Sequence, residues 1–334
     1  MPPADEPRRV WRDLTRTFLL LAPLLAGLAA LVLALALAGC GDDEEVVQVD
    51  LSKRVEVNLE QPPGGLTYAY LPQYSHTVSY RRHGPLVDYL AEATGLRLRQ
   101  VFPDTFDDHI SMVGEGAIDI SFLNPFAYVK INQRFGATAF ARIEEPGSRG
   151  FYGEIIARRD NEFISSLLDC RGKRWIAVDP TSAGGYLFPL GHFLEHGLSK
   201  SDFAEIDFAP GPGGKQEKVV LAVYYGKFEV GTVRSGTRAL LADRIDLDEL
   251  KVVASTRDYP GWTFAARKGL SASVTQRIRD ALLALDRDDP DDRAILERAH
   301  FQGVVAARDS DFDPVRDLIK RLESAGEITV GGGQ

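Results

Sequence analysis

The stretch Gly116-Ala117-Ile118-Asp119-Ile120-Ser121-Phe122-Leu123-Asn124-Pro125-Phe126-Ala127-Tyr128-Val129 changes its periodicity within a few residues. Residues 117–123 read as a short strand. Pro125, whose φ is preset for a first helical position, opens a helix that carries Tyr128 and ends near Gly136. A strand feeding directly into a helix is the building unit of an α/β fold, and open α/β sheets bind ligands outside the carboxyl ends of their strands. Asn124 and Tyr128 stand at that end. Either they face a ligand, or Asn124 caps the helix and Tyr128 packs.

The same alternation extends in both directions. Upstream, 66–71 reads as the first strand, 85–94 as a helix stopped by Gly95, 96–102 as a strand and 106–114 as a helix. Downstream, 152–158 and 173–178 read as strands, and 179–185 is a strand-to-helix turn feeding a helix over 186–196. A strand near 205–208, a glycine loop at 211–214, a helix over 218–225 and a strand over 228–233 follow. Strand character returns over 251–268, and 272–322 reads as helical, with breaks around Asp289-Pro290 and before Asp313. This order predicts an α/β fold with largely parallel sheet.

The 334 residues are 26% charged and 44% hydrophobic, which excludes a disordered or polytopic membrane chain, and the length suits two domains. The net charge of −9, with no basic block, argues against nucleic acid as a partner. The first 40 residues carry an export pattern. Arg8, Arg9, Arg12 and Arg16 precede an uncharged apolar run over 18–37, followed by Leu37-Ala38-Gly39-Cys40 and an acidic stretch. The tetrapeptide resembles a bacterial lipobox. That resemblance implies cleavage of residues 1–39, lipidation of Cys40, a tether over 40–54, and a protein held outside the cytoplasm at the bacterial membrane. The apolar run is also long enough to be a single-pass anchor. Cys40 and Cys170 are the only cysteines, so no cysteine metal cluster exists and Cys170 is expected to be a small semi-buried filler.

Thr181, Ser182, Gly184 and Gly185 lie in the turn between a strand and a helix, where unsatisfied backbone N–H groups and the helix dipole favour an anion. Alternatively, Thr181 or Ser182 only caps that helix. Glu229 and Arg234 flank the strand over 230–233. Arg234 either grips an oxyanion or joins a surface ion pair. Tyr68, Tyr70, Tyr74 and Tyr80 either line a pocket or pack. Neither a Gly-x-Ser-x-Gly elbow nor His-Glu-x-x-His is present, and His192 and His196, four apart on one helix face, are the sole hint of a metal enzyme. No cofactor is expected.

Three blocks together resemble the phosphate/phosphite/phosphonate-type substrate-binding proteins of ABC transporters. They are residues 116–129, the run Asp179-Pro180-Thr181-Ser182-Ala183-Gly184-Gly185-Tyr186-Leu187-Phe188-Pro189, and residues 220–234. With Pro85-Leu86-Val87-Asp88-Tyr89-Leu90, the likeness covers about residues 64–325. It implies the type II periplasmic-binding-protein fold, with residues 55–145 plus 246–330 as one lobe, 146–245 as the other, two crossing strands and a ligand cleft between them. It also implies a monomer without catalytic residues, which captures a small anionic solute and hands it to an ABC transporter permease. A similar module serves histidine kinases as a sensor, so a sensor kinase is the alternative partner.

The family's oxyanion is held by the turn that corresponds to Thr181–Gly185. The resemblance therefore points to Thr181, Ser182, Gly184 and Gly185 for capture, Arg234 as charge partner, Glu229 beside it, and Asn124, Tyr128 and Tyr74 as the opposite wall. The family's Ser-Thr-Ser series reads Ser182-Ala183-Gly184 here, which removes two hydroxyl donors. Its Ser-His-acid stretch reads Lys215-Gln216-Glu217, and Glu229 stands where an Asp is usual. Arg234 or Lys215 would have to compensate.

Overall fold

The computed structural model describes residues 64–144, 150–211 and 213–329. The apolar leader, Cys40 and the 40–54 tether lie outside the described residues, as does Pro212 of the glycine loop.

Two sheets share the strands. The first contains β1 (Leu66–Tyr70), β2 (Leu98–Val101), β3 (Ile120–Leu123), β4 (Thr138–Glu144), β10 (Thr263–Ala266) and β11 (Gly303–Ala306), in the order β11-β4-β10-β3-β1-β2. The second contains β5 (Gly153–Arg158), β6 (Arg174–Ala177), β7 (Glu205–Phe208), β8 (Val230–Arg234) and β9 (Leu250–Ser255), in the order β7-β6-β8-β5-β9. Each sheet has a parallel half, β2-β1-β3 and β7-β6-β8, to which antiparallel strands are added. The sheets are thus more mixed than the strand–helix alternation predicts.

Eight helices complete the described residues: α1 (His76–Thr94), α2 (Phe106–Gly114), α3 (Pro125–Phe135), α4 (Phe188–Glu195), α5 (Lys215–Tyr224), α6 (Ala272–Ala284), α7 (Pro290–Ala299) and α8 (Asp313–Ser324). Local chemistry sets their ends. Asn124 accepts a hydrogen bond from the Ala127 N–H at 2.9 Å, Pro125 takes the first helical position, and Gly136 closes α3 in the left-handed region at φ 70°. Helix α1 begins nine residues before the expected start, because Ser75 caps it and Pro85 lies inside it. The expected helical tail contains an edge strand, β11, which pairs antiparallel with β4.

Asp119 ties the first sheet together. Its Oδ2 accepts from the Thr67 N–H at 2.8 Å and from Thr67 Oγ1 at 3.0 Å, and its Oδ1 meets Arg267 Nε at 2.7 Å. Strands β1, β3 and the residue after β10 are thereby joined at the end opposite the strand-to-helix turns.

The chain enters the second sheet at β5 and leaves after β9, which pairs antiparallel with the outer edge of β5. Residues 250–255 therefore pair within the second sheet. The two crossings are paired: the Phe151 N–H donates to the Tyr259 carbonyl at 3.1 Å, and the Tyr259 N–H donates back at 2.8 Å. Phe188 stacks on Tyr259 at 3.8 Å beside them. Helix α8 reaches the second lobe as well, with Leu318 against Gly191 and Arg321 Nη1 paired to Glu195 at 2.8 Å.

Cys170 is fully buried, and burial pushes its thiol up to about 12. A thiol reagent at neutral pH should leave Cys170 unmodified in the folded protein and label it after unfolding, read by peptide mapping. Rapid labelling of the folded protein would show that the second lobe opens locally.

Candidate functional site

The carboxyl ends of β6 and β8 face those of β1 and β3, and polar contacts cross between the lobes there. After β6, Asp179 accepts from the Thr181 N–H at 2.8 Å and shapes the turn. Ser182 Oγ accepts from the Gly185 N–H at 3.2 Å, so this hydroxyl caps the helical run. That run opens with one wide turn, Ala183–Leu187, and continues without a break into α4. Its first N–H groups, on Ala183 and Gly184, precede any intrahelical bond and remain donors for an anion.

Gly184 permits the key approach. A Cβ there would lie 2.8 Å from Arg234 Cβ and 3.0 Å from Phe151 Cζ, so only glycine lets Arg234 pack against the turn. Gly185 is equally confined, since a Cβ would stand 2.4 Å from Val178 Cγ2. Its carbonyl accepts from Thr232 Oγ1 at 2.7 Å, which fixes the turn to β8.

Arg234 ends β8 and reaches across the cleft, where its Nη2 donates to Tyr74 Oη at 2.9 Å. The Arg82 guanidinium lies 4.6 Å above the centre of the Tyr74 ring. Burial works against a Tyr74 phenolate, but Arg234 and Arg82 outweigh it and hold the hydroxyl below its ordinary value. Partial desolvation, followed by the fields of Arg82 and Arg234, lowers His300. Two guanidinium groups therefore converge on one hydroxyl. Glu217 is the acid whose field opposes them at Tyr74.

Further bonds join the lobes around this cluster. Asn124 Nδ2 donates to the Thr181 carbonyl at 3.2 Å, while Lys130 Nζ donates to Thr181 Oγ1 at 2.8 Å. The Gly214 N–H donates to the Gln73 carbonyl at 2.9 Å. The lobes are closed on each other.

Of the expected site residues, the structure gathers Thr181, Ser182, Gly184, Gly185, Arg234, Asn124 and Tyr74 at the cleft. Tyr128 is elsewhere: fully buried, it packs its ring at a tilt against Phe312, centroids 4.5 Å apart, donates to Asp309 and accepts from the Ala139 N–H at 3.2 Å. Four residues past the cap, its side chain points into the lobe rather than across the cleft. Glu229 is also elsewhere. It stands just before β8, at the far end from Arg234, and forms a paired contact with Arg174, Nη2 to Oε1 at 2.8 Å. Lys215 does not supply a free charge either, since its Nζ pairs with Asp179 at 2.6 Å. Tyr68 and Tyr70 are core residues, and Tyr80 is 39% exposed. His192 and His196 place their rings 4.4 Å apart, and among the described residues no third ligand joins them.

Sequence reasoning missed Lys130, Arg82 and His300. Lys130 had a signal, since it lies one and a half turns into a helix that starts at the cleft. Arg82 and His300 had none, because only the pairing of α1 with α7 brings them together.

Two α/β lobes, paired crossings and a polar cleft at the strand ends define a type II periplasmic binding protein. The family model described as "ABC transporter, phosphonate, periplasmic substrate-binding protein" matches residues 68–312, and the chain belongs to that family. Among curated relatives, the phosphate-import protein PhnD of Mycolicibacterium smegmatis is 28% identical over 88% of this chain and 94% of its own length. The phosphonates-binding periplasmic protein of Escherichia coli is 24% identical over 72% of each chain. Among solved structures, PhnD1 from Prochlorococcus marinus in complex with methylphosphonate superposes with a TM-score of 0.69, at 14% identity, over 77% of this chain and 98% of that one.

Proposed function

We propose that the protein captures a small tetrahedral oxyanion of the phosphate or phosphonate class between the Ala183–Gly184 N–H groups and Arg234, and delivers it to an ABC transporter permease. The observation that carries this reading is Arg234 itself, which packs on the anion-binding turn of one lobe and bonds the Tyr74 hydroxyl of the other. An anion placed there completes a charged bridge between the lobes and favours the closed state. The names of the relatives, which concern phosphate and phosphonates, support the ligand class. The guanidinium groups of Arg82 and Arg234 offset the two hydroxyls absent from the turn, because bonds to charged groups are worth about 1.5–3 kcal/mol against 0.5–1.5 for neutral ones. The protein works by closure and not by catalysis. Lipidation at Cys40, a monomeric state and a position on the outer face of a bacterial membrane complete the proposal. The lipidation and the position rest on the sequence of the leader, and the monomeric state on the family resemblance.

Thermal unfolding against phosphate, phosphite, methylphosphonate, sulfate and acetate tests it. One or more of the phosphorus oxyanions should raise the midpoint saturably. At a concentration about 100 times Kd the gain is about 2.7 kcal/mol, which amounts to several degrees for a chain of this size. Acetate should give no shift. A flat midpoint with every anion would remove the oxyanion from the reading and leave the cleft to an organic solute.

A further inference from the structure

Away from the cleft, at the amino ends of β3 and β4 and the carboxyl end of β10, the first sheet borders a cavity of about 680 Å³. The first turn of α6 forms another of its walls. Of the fifteen residues that line it, Arg267, Lys268, Arg279 and Arg308 are cationic and none is acidic. In a chain of net charge −9, this is a local reversal of sign.

Three of the four charges are not neutralised. Arg267 is taken by Asp119, at 2.7 Å. Lys268 and Arg308 are exposed, and neither they nor Arg279 form an ion pair among the described residues. Arg279 Nη1 reaches only the Gln276 side-chain oxygen, at 3.5 Å, and its Nε is buried with no hydrogen-bond partner. The acids next in sequence to Arg308 are engaged. Asp309 holds Arg316 and Tyr128, and Asp311 accepts from the Arg308 N–H at 3.0 Å.

The position of this pole in the chain indicates what it meets. Ala266 is level with Ile120, and Ile120 with Tyr68, so β1 begins at the same end of the sheet. Asp119 links Thr67 to Arg267 directly. The segment that carries Cys40 therefore joins the fold beside the cationic cavity, with the cleft at the opposite end of the strands.

We propose that this pole rests on the membrane and that the cavity takes the phosphate headgroup of an anionic phospholipid. The outer face of the membrane comes from the function proposed above, but no lipid on Cys40 is required. Lys and Arg within a Debye length of an anionic bilayer are attracted to it, whereas the rest of an acidic chain is held off. A protein standing on this pole keeps its cleft turned to the medium from which it takes its solute.

Co-sedimentation with vesicles at low ionic strength tests this. The protein is the mature chain from residue 40 carrying Cys40→Ser, which holds every described residue and has no acyl anchor. Vesicles of phosphatidylglycerol mixed with phosphatidylcholine should bind it, and pure phosphatidylcholine should not. Lys268→Gln combined with Arg308→Gln should lower the partition coefficient at least about tenfold. Both side chains are exposed, so the unfolding midpoint should hold. Lys173→Gln combined with Lys227→Gln removes the same charge from the second lobe, just before β6 and β8, and should leave binding within about twofold. Equal losses in the two pairs would mark a general field and overturn the site. Absence of binding to the anionic vesicles, or equal binding to the neutral ones, overturns it too. So does displacement by millimolar glycerol phosphate at constant ionic strength, because the cavity would then serve a soluble phosphate ester. The ligand shift of the cleft is read without vesicles, so either reading can fail alone.

Discussion

Replacing Arg234 by methionine should raise the dissociation constant for phosphate or methylphosphonate about 100-fold. Two losses combine. The first is a charged hydrogen-bond donor at the anion, about 1.5–3 kcal/mol, where a neutral substitute cannot compensate. The second is the bond from Arg234 Nη2 to Tyr74 Oη, which ties β8 of one lobe to the loop after β1 of the other. Closure then gains less from the ligand, and the apparent affinity falls with the population of the competent state. Methionine preserves the unbranched stem that packs on Gly184, so the fold should survive, as circular dichroism and the ligand-free unfolding midpoint would show. Arg174→Met provides the control. It breaks the pair with Glu229 at the other end of the same strand and should leave ligand affinity within about twofold, because an exposed pair so far away is screened. If Arg234→Met binds as wild type does, the cleft does not hold its anion through that guanidinium. If both variants lose affinity equally, strand β8 is simply damaged.

The contrast between these two ends of β8 also explains which parts of the site the sequence could disclose. Strand and helix periodicity located the turn at Thr181–Gly185 and the cap at Asn124, because the chain changes direction there for local reasons. Pro125, Gly136 and the glycines beside Arg234 are all local signals. Glu229 was misplaced because it is adjacent in sequence to the β8 strand but at its amino end, and the ligand side of a parallel strand is its carboxyl end. Tyr128 was misplaced for a helical reason. Asn124 faces the cleft as a cap, whereas a residue four positions on already lies over the next turn, and here that position packs on Phe312.

Long-range pairing was out of reach. Nothing local announces that β9 returns to the edge of β5, or that β11 interrupts a helical tail, since edge strands of four to six residues are too short for a period to register. The same limit hid the arginine cluster: Arg82 and Arg234 are far apart in sequence, and only closure of the lobes brings them to one hydroxyl. Asp119, prominent in the block that suggested the family, is a brace between Thr67 and Arg267 and not a ligand residue. A family pattern thus mixes residues that hold the lobes with residues that touch the solute.

Acidification should unfold the protein earlier than its carboxylates alone would allow, and two histidines of the first lobe set the expected window. His83 and His109 are almost completely buried, and burial pushes both down to about 3. His83 is lowered further by Arg82 and His300 beside it. Tyr68, whose hydroxyl burial holds strongly protonated, lies 2.8 Å from His83 Nδ1 and so donates to it. The remaining nitrogen of His83 lies among Tyr70, Phe122 and Phe301, where no charge is solvated. His109 Nε2 meets Ser121 Oγ at 2.9 Å. Both rings are neutral in the folded state, whereas in the unfolded chain each binds a proton near its ordinary value of about 6.5.

Between pH 6.5 and 3 the unfolded chain therefore binds more protons than the folded one, and stability falls as pH falls. Each ring contributes a slope of about 1.4 kcal/mol per pH unit, so two rings remove about 4 kcal/mol between pH 6.5 and 5. The carboxylates held below their ordinary values, Asp160, Asp169 and Glu229, lose their contribution only at lower pH, as the medium falls below about 4.5, and do not mask the effect. Denaturant midpoints measured from pH 7.5 to 4.5 should stay level down to about pH 6.5 and then fall steeply. His109→Gln should roughly halve the slope below pH 6.5, even if its own midpoint at pH 7.5 is lower, because slope and not absolute stability reports the proton count. A wild-type midpoint that is flat between pH 6.5 and 5 would mean that both rings titrate in the folded protein, and the lobe would then have to admit water to the faces of Tyr70 and Phe122.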